Sequence, residues 1–179
     1  MPQQQILKNY LDLIRQLDVF CGKIGEQFTD KIVCRAGCSG CCRHITLFPV
    51  EAFALASALK QLPVETSDHI RGKARLASPD GPCPLLGESL CLLYDARPVI
   101  CRTHGMPLLL SSEAGTRGID FCPLNFQGVD KLPGDAVIDL DRVNETLAAI
   151  NALFVKEWEM KRPPLDERMS IAEALLLDF

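Results

Sequence analysis

Apolar residues return at steps of three and four through the first thirty positions. Over 3–28, Ile6, Leu7, Tyr10, Leu13, Ile14, Leu17, Phe20, Ile24 and Phe28 form one stripe, which predicts an amphipathic helix. A second helix opens at Pro49, a residue suited to the first turn, with Glu51 favourable to the helix dipole. Ala52, Leu55, Ala56 and Leu59 carry it to about Leu62, just before Pro63. A shorter helix is expected over 67–77, with Ser67 or Asp68 as cap. Asp141 is placed to cap a helix whose face is Val143, Leu147, Ile150, Phe154 and Trp158, ended by Pro163 and Pro164. That stripe is expected to face a core rather than a partner. Ser170 and Glu173 have the spacing of a capping box for a last short helix.

Over 78–133 the periodicity fails. Gly and Pro recur, and only two short apolar pieces, 90–94 and 106–110, suggest brief strands; nothing has helical length. A stretch this irregular lacks the core to hold itself, so a metal tie is expected to supply the stability. The expected architecture is a mainly α, single small domain spanning 1–179. Helical flanks at 1–30 and 140–179 would pack around an irregular, cysteine-rich centre at 31–124. No internal repeat or low-complexity segment is present.

Composition narrows the function classes. The chain has 179 residues, 47% hydrophobic and 23% charged, with net charge −4, which is ordinary for one globular core. No block of Lys or Arg marks a phosphate-binding or lipid-headgroup surface, so neither a nucleic-acid nor a membrane partner is expected, and a protein partner stays unspecified. No basic segment followed by an apolar one opens the chain, so a cytoplasmic location is the expectation. In a reducing compartment, clustered cysteines point to metal or redox chemistry more than to structural disulfides.

Cysteine is where the chemistry lies. Cys34, Cys38, Cys41 and Cys42 fall within nine residues, and Cys83, Cys91, Cys101 and Cys122 follow. Thiolates this close repel one another unless a cation lies between them, and zinc or iron are the usual choices. A bond between neighbours Cys41 and Cys42 would be strained: their Cα atoms are about 3.8 Å apart, while disulfides prefer roughly 4.4–6.8 Å. The ninth, Cys21, lies on the first apolar stripe and reads as a small hydrophobe. Eight thiolates suit two zinc tetrahedra, a bridged dizinc site, or one cluster with spare cysteines, and spacing alone does not choose.

Charge follows the cysteines. No Asp or Glu occurs over 31–50, which holds Lys31, Arg35 and Arg43, nor over 96–112, which holds Arg97 and Arg102. Arg97 and Arg102 are the candidates to offset an anionic centre from just outside its ligands. His44 and His104 are alternative ligands that eight thiolates make unnecessary, and His69 is expected at the surface. Asp95, the acid nearest these cysteines, reads as a turn residue.

Cys34 through Cys42, then Cys83-Pro-Leu-Leu, Cys91-Leu-Leu-Tyr-Asp-Ala-Arg97-Pro98, Cys101-Arg102 and Cys122-Pro resemble the YkgJ-type, CxxxCxxCC, cysteine-cluster family of zinc- or iron-chelating proteins. The resemblance covers about 32–123. It implies that the eight cysteines form a metal site; Cys21 has no counterpart in it.

The expected metal is zinc or iron. C-x3-C-x2-C resembles the spacing of radical S-adenosylmethionine enzymes, and both Cys83 and Cys122 precede proline, which leans toward an iron–sulfur cluster of the [4Fe–4S] kind. A barrel of the kind radical enzymes use does not fit in 179 residues, and two four-cysteine zinc sites would use all eight thiolates. A non-catalytic role is therefore expected, in structure, metal handling or electron transfer. The alternative is an iron–sulfur enzyme with a group-transfer activity, since the same cysteine motif resembles one in flagellin lysine methylases.

Overall fold

The computed structural model describes residues 6–34, 37–112, 115–159 and 167–179. Six α-helices occur among them: α1 Lys8–Gln27, α2 Pro49–Leu59, α3 Val64–Arg75, α4 Val99–Thr103, α5 Leu140–Glu159 and α6 Ile171–Leu176. Five short strands occur among the described residues, β1 Thr46–Leu47, β2 Leu108–Ser111, β3 Arg117–Asp120, β4 Ile138–Asp139 and β5 Met169–Ser170, with 3-10 turns at Thr29–Lys31, Tyr94–Ala96 and Gly134–Ala136. The mainly α expectation agrees with this arrangement. No helix among the described residues is long and apolar enough to cross a membrane.

Helix α2 sits at the centre because its sequence is apolar all round, the signature of a helix with no wet face. Ala52, Leu55 and Leu59 pack into one cluster with Ile70, Ala74, Ile171 and Leu175 from α3 and α6. Val50 and Phe53 face a second cluster with Tyr10, Leu13, Leu17, Leu147, Phe154 and Trp158 from α1 and α5. Each buried Leu or Phe contributes about 1.5–3 kcal/mol by leaving water. The Trp158 stripe therefore lies in the core, with Phe53 at 5.2 Å and 77° to its ring. Helices α1, α5 and α6 all pack against α2, in which Glu51 and Ser57 are buried among the apolar residues, and Val99 of α4, the helix that carries Cys101, joins the α1 cluster.

A third cluster joins the end of α1 to the small sheet through Ile24, Phe126, Ala136 and Ile138. Strands β2 and β3 form an antiparallel hairpin, Leu108 opposite Asp120 and Ser111 opposite Arg117. Strand β4 adds in parallel, Leu108 beside Ile138. Strands β1 and β5 pair antiparallel, Thr46 with Ser170, so the start of α6 is tied to the segment just after the first cysteines.

Several boundaries depart from the expectations. Helix α3 begins at Val64 after Pro63, so Ser67 lies inside it; its hydroxyl donates to Leu59 O at 2.8 Å and joins α3 to α2. Helix α5 starts at Leu140, where Asp139 Oδ1 accepts from Arg142 N at 3.1 Å, two residues before Asp141, the expected cap. The 90–94 piece is no strand: Cys91 makes a single bridge to Leu86, and a 3-10 turn follows at Tyr94–Ala96. A five-residue helix, α4, appears where none was expected. The capping box at α6 is present, with Glu173 N donating to Ser170 Oγ at 3.1 Å and Ser170 N to Glu173 Oε2 at 2.6 Å. Gln3, the helix stop at Pro163–Pro164, and Arg35 lie outside the described residues.

Candidate metal centre

Backbone hydrogen bonds decide which cysteines meet. Cys83 N donates to Cys42 O at 3.0 Å, and His44 N to Gly81 O at 3.1 Å, so the segment after Cys41 runs beside the segment before Cys83. The chain then turns back: Leu92 N donates to Leu85 O at 2.8 Å, and Leu86 pairs with Cys91. Helix α4 carries Cys101, and its first N–H, from Val99, donates to the buried carboxylate of Glu51 at 3.0 Å. Glu51 also accepts from Phe48 N at 3.2 Å. One carboxylate on α2 thus fixes the start of its own helix and that of the cysteine-bearing helix. Burial pushes the Glu51 carboxyl up, opposed by those two donors.

A second convergence forms around Asn125, which is 1% exposed. Its Oδ1 accepts from Val33 N at 3.0 Å, and its Nδ2 donates to Gly105 O at 2.9 Å. Asn125 N donates to Cys122 O at 2.8 Å, and Phe126 N donates to Lys31 O at 2.7 Å. Cys34 is thereby brought to Cys122, while Cys38 and Cys41 stay on the same short loop. Gly37 turns that loop at φ +96°, a left-handed conformation open to glycine, and donates to Ser89 O at 3.1 Å. Gly105 (φ +89°) leaves room for Asn125: a side chain there would stand 3.1 Å from Asn125 Nδ2 and 3.5 Å from Cys122 Cβ.

Thiol electrostatics follow the same proximities. Burial raises the Cys34 thiol, and negative charge on Cys38, Cys41 and Cys122 adds to it. Burial pushes Cys42 up to about 11, reinforced by Cys41, Cys83 and Cys91. Cys101 is pushed up to about 12 by burial first, then by Cys83, Cys91 and Cys42, with Arg97 opposing. Cys83 is raised by burial and by Cys91, against the N–H groups of Leu85 and Leu86 and the charge of Lys73. Cys91 is raised by burial, against Leu93 N–H and Arg97. Charge on Cys38, Cys41 and Cys122 bears on Cys34, and charge on Cys42, Cys83 and Cys91 bears on Cys101, while Cys42 feels Cys41 as well as Cys83 and Cys91.

Thiols that resist ionisation because they are buried and, secondarily, near one another are suited to a cation, which offsets that cost by lying between them. All nine cysteines are free thiols. Among the described residues, no three His, Cys, Asp or Glu side chains close in tightly enough to hold an ion as they stand.

Other candidates are placed as follows. His44 is held at both nitrogens: Nδ1 contacts Ser78 O at 2.8 Å and Nε2 accepts from Ala172 N at 3.2 Å, which fixes the Nδ1–H tautomer and leaves no lone pair for a metal. His104 and His69 are exposed. Arg97 lies beside Cys101, donating to its carbonyl at 3.3 Å. Arg102 has a side chain 7% exposed and turns to Asp18 at 2.6 Å, to Arg97 O at 2.6 Å and to Asp95 O. Cys21 contacts Arg102 O at 3.7 Å, its thiol pushed up to about 11 by burial and then by Asp18. Sequence reasoning missed Asn125 and the second bond of Glu51. The one sequence signal for the first is an asparagine three residues after Cys122, in turn-forming context.

A chain with eight clustered thiols and cations at hand has the donor set of a metal-chelating protein. Residues 33–123, just over half of the chain, match the CxxCxxCC family, described as a "putative zinc- or iron-chelating domain". The chain belongs to that family. No curated protein and no solved structure matches it.

Proposed function

We propose that this protein chelates zinc or iron through all eight clustered cysteines, in two centres of four thiolates each, and that its role is non-catalytic. The observation that carries this reading is the backbone pairing that sets Cys83 beside Cys42 and, through Asn125, the Val33–Cys34 segment beside Cys122, so that all eight cysteines lie on segments joined to one another. Four thiolates complete a tetrahedral shell, whereas catalytic zinc keeps a position open. Each filled centre would tie together chain segments that lack a core of their own. Arg97 and Lys73 would offset the negative charge at Cys83, Cys91 and Cys101, since both already ease ionisation there.

Iron–sulfur clusters are the first reading of the metal. The C-x3-C-x2-C spacing and the two Cys-Pro steps support it. Zinc is the second reading, favoured because two four-cysteine shells would use all eight clustered thiolates with none spare. Tetrahedral bonds of about 2.3 Å set sulfurs about 3.8 Å apart. Elemental analysis with absorption and EPR spectra of anaerobically purified protein tests the proposal. Broad charge-transfer absorption with iron and sulfide in equal amounts supports clusters; colourless protein with two zinc ions supports zinc. Neither metal at stoichiometric level ends the reading.

A further inference from the structure

Of the eight clustered cysteines, Cys101 alone lies in a helix among the described residues. Helix α4 spans only Val99–Thr103, and a helix of five residues does not stand by itself in water. Its start has no local cap: the preceding residue is Pro98, whose ring carries no oxygen to accept an N–H. The acceptor comes from α2 instead. Glu51 Oε1 takes the Val99 N–H at 3.0 Å, and Glu51 Oε2 takes that of Phe48 at 3.2 Å. The bond to Val99 is buried, as is Glu51 itself. Val99 belongs to the apolar cluster of Tyr10, Leu13 and Phe53, while its neighbour Ile100 stays exposed. At the far end, Thr103 Oγ1 donates back to Val99 O at 3.1 Å, and Arg102 ties the helix to Asp18 of α1 at 2.6 Å.

Cys101 follows the Val99 bond by two residues, about 3 Å of helix rise, so whatever fixes the first turn fixes the thiol. Resting on the reading that the clustered cysteines chelate metal, we propose that Glu51 is the positioning residue for Cys101. It caps α4 from another helix and holds the one helical ligand in place before metal arrives. Without that acceptor the first turn frays, and metal binding must then order the segment that Glu51 orders now. Glu51 touches no metal in this scheme and acts only through Val99.

The test uses the full chain, metal-free and anaerobic, and compares wild type with Glu51→Gln, Glu51→Ala and Leu59→Ala. Leu59 is buried on the same helix in the cluster of α3 and α6, so its loss destabilises the core and leaves the Val99 bond in place. Iodoacetamide labelling with peptide mapping reads each cysteine, and competition with a chromophoric chelator reads zinc affinity. Glu51→Ala is expected to label Cys101 about tenfold faster, the equivalent of one lost hydrogen bond, with Cys34 and Cys122 unchanged. Its zinc binding is expected to weaken by about threefold or more, because fewer molecules hold α4 ready. Glu51→Gln keeps one acceptor for two N–H groups and falls between, while Leu59→Ala labels Cys101 as wild type does. Labelling that rises alike at all three cysteines, a Leu59→Ala chain that loosens Cys101 as much as Glu51→Ala, or unchanged zinc binding in Glu51→Ala overturns the assignment. If Glu51→Ala does not fold, Glu51→Gln carries the same comparison. A wild-type chain that takes up neither zinc nor iron overturns the chelation reading itself, a separate failure.

Discussion

Replacing Asn125 by alanine removes one side chain and unlinks three segments. Val33 N–H loses its acceptor at 3.0 Å, and Gly105 C=O loses its donor at 2.9 Å. Asn125 is 1% exposed; its bond to Gly105 is buried, while the one to Val33 is half-buried. A buried polar group left unpaired costs about 1–3 kcal/mol, so two give roughly 2–4 kcal/mol after partial rehydration of the Val33 end. A chain of this size is stable by about 5–15 kcal/mol, and each kcal/mol moves the melting temperature by about 2–4 °C. Thermal melting followed by circular dichroism should fall by about 4–16 °C. Because Asn125 brings Cys34 to Cys122, metal loading should restore part of the loss, by closing the same link with coordination bonds. A fall of less than about 1 °C, well under that range, would refute the claim that Asn125 joins these segments.

Further outcomes follow from the same contacts. Burial raises the Glu51 carboxyl. A folded pKa above the unfolded one gives stability that is full below the unfolded value and is lost as pH rises through the folded value. The stability of wild type relative to the non-titrating Glu51→Gln should therefore fall as pH rises across that window, by urea unfolding at each pH; a flat difference would contradict the buried carboxyl. His44→Ala should cost about 1–2 kcal/mol through its two lost hydrogen bonds and leave metal content unchanged by elemental analysis; lost metal would make His44 a ligand. Arg102→Lys should lower the melting temperature nearly as much as Arg102→Ala, because one ammonium does not replace a guanidinium that spans Asp18 and two carbonyls. Full rescue by lysine would show that charge alone matters there.

Much of this was legible in the chain, for identifiable reasons. The stripes of α1 and α5 and the apolar run of α2 follow from period, which is a local property. The capping box at Ser170 needs only four consecutive residues. Long-range features were not legible. Helix α4 is five residues, too short for a periodic signal, and its start rests on Glu51, 48 positions away. The apolar run at 90–94 is a loop because Leu93 turns into the core while Cys91 pairs with Leu86. His44 carries no sequence mark of the partners that occupy its ring. The eight cysteines were visible as donors, yet their assortment depends on how the chain crosses after Cys42, which the Cys83-to-Cys42 and Val33-to-Asn125 bonds set.

The most direct test of two all-thiolate centres is X-ray absorption at the metal edge of anaerobically prepared protein, with metal content per chain measured on the same sample. The account predicts a first shell of sulfur alone at about 2.3 Å, with two centres per chain. Nitrogen or oxygen donors in that shell, or one centre that leaves four cysteines free, would contradict it.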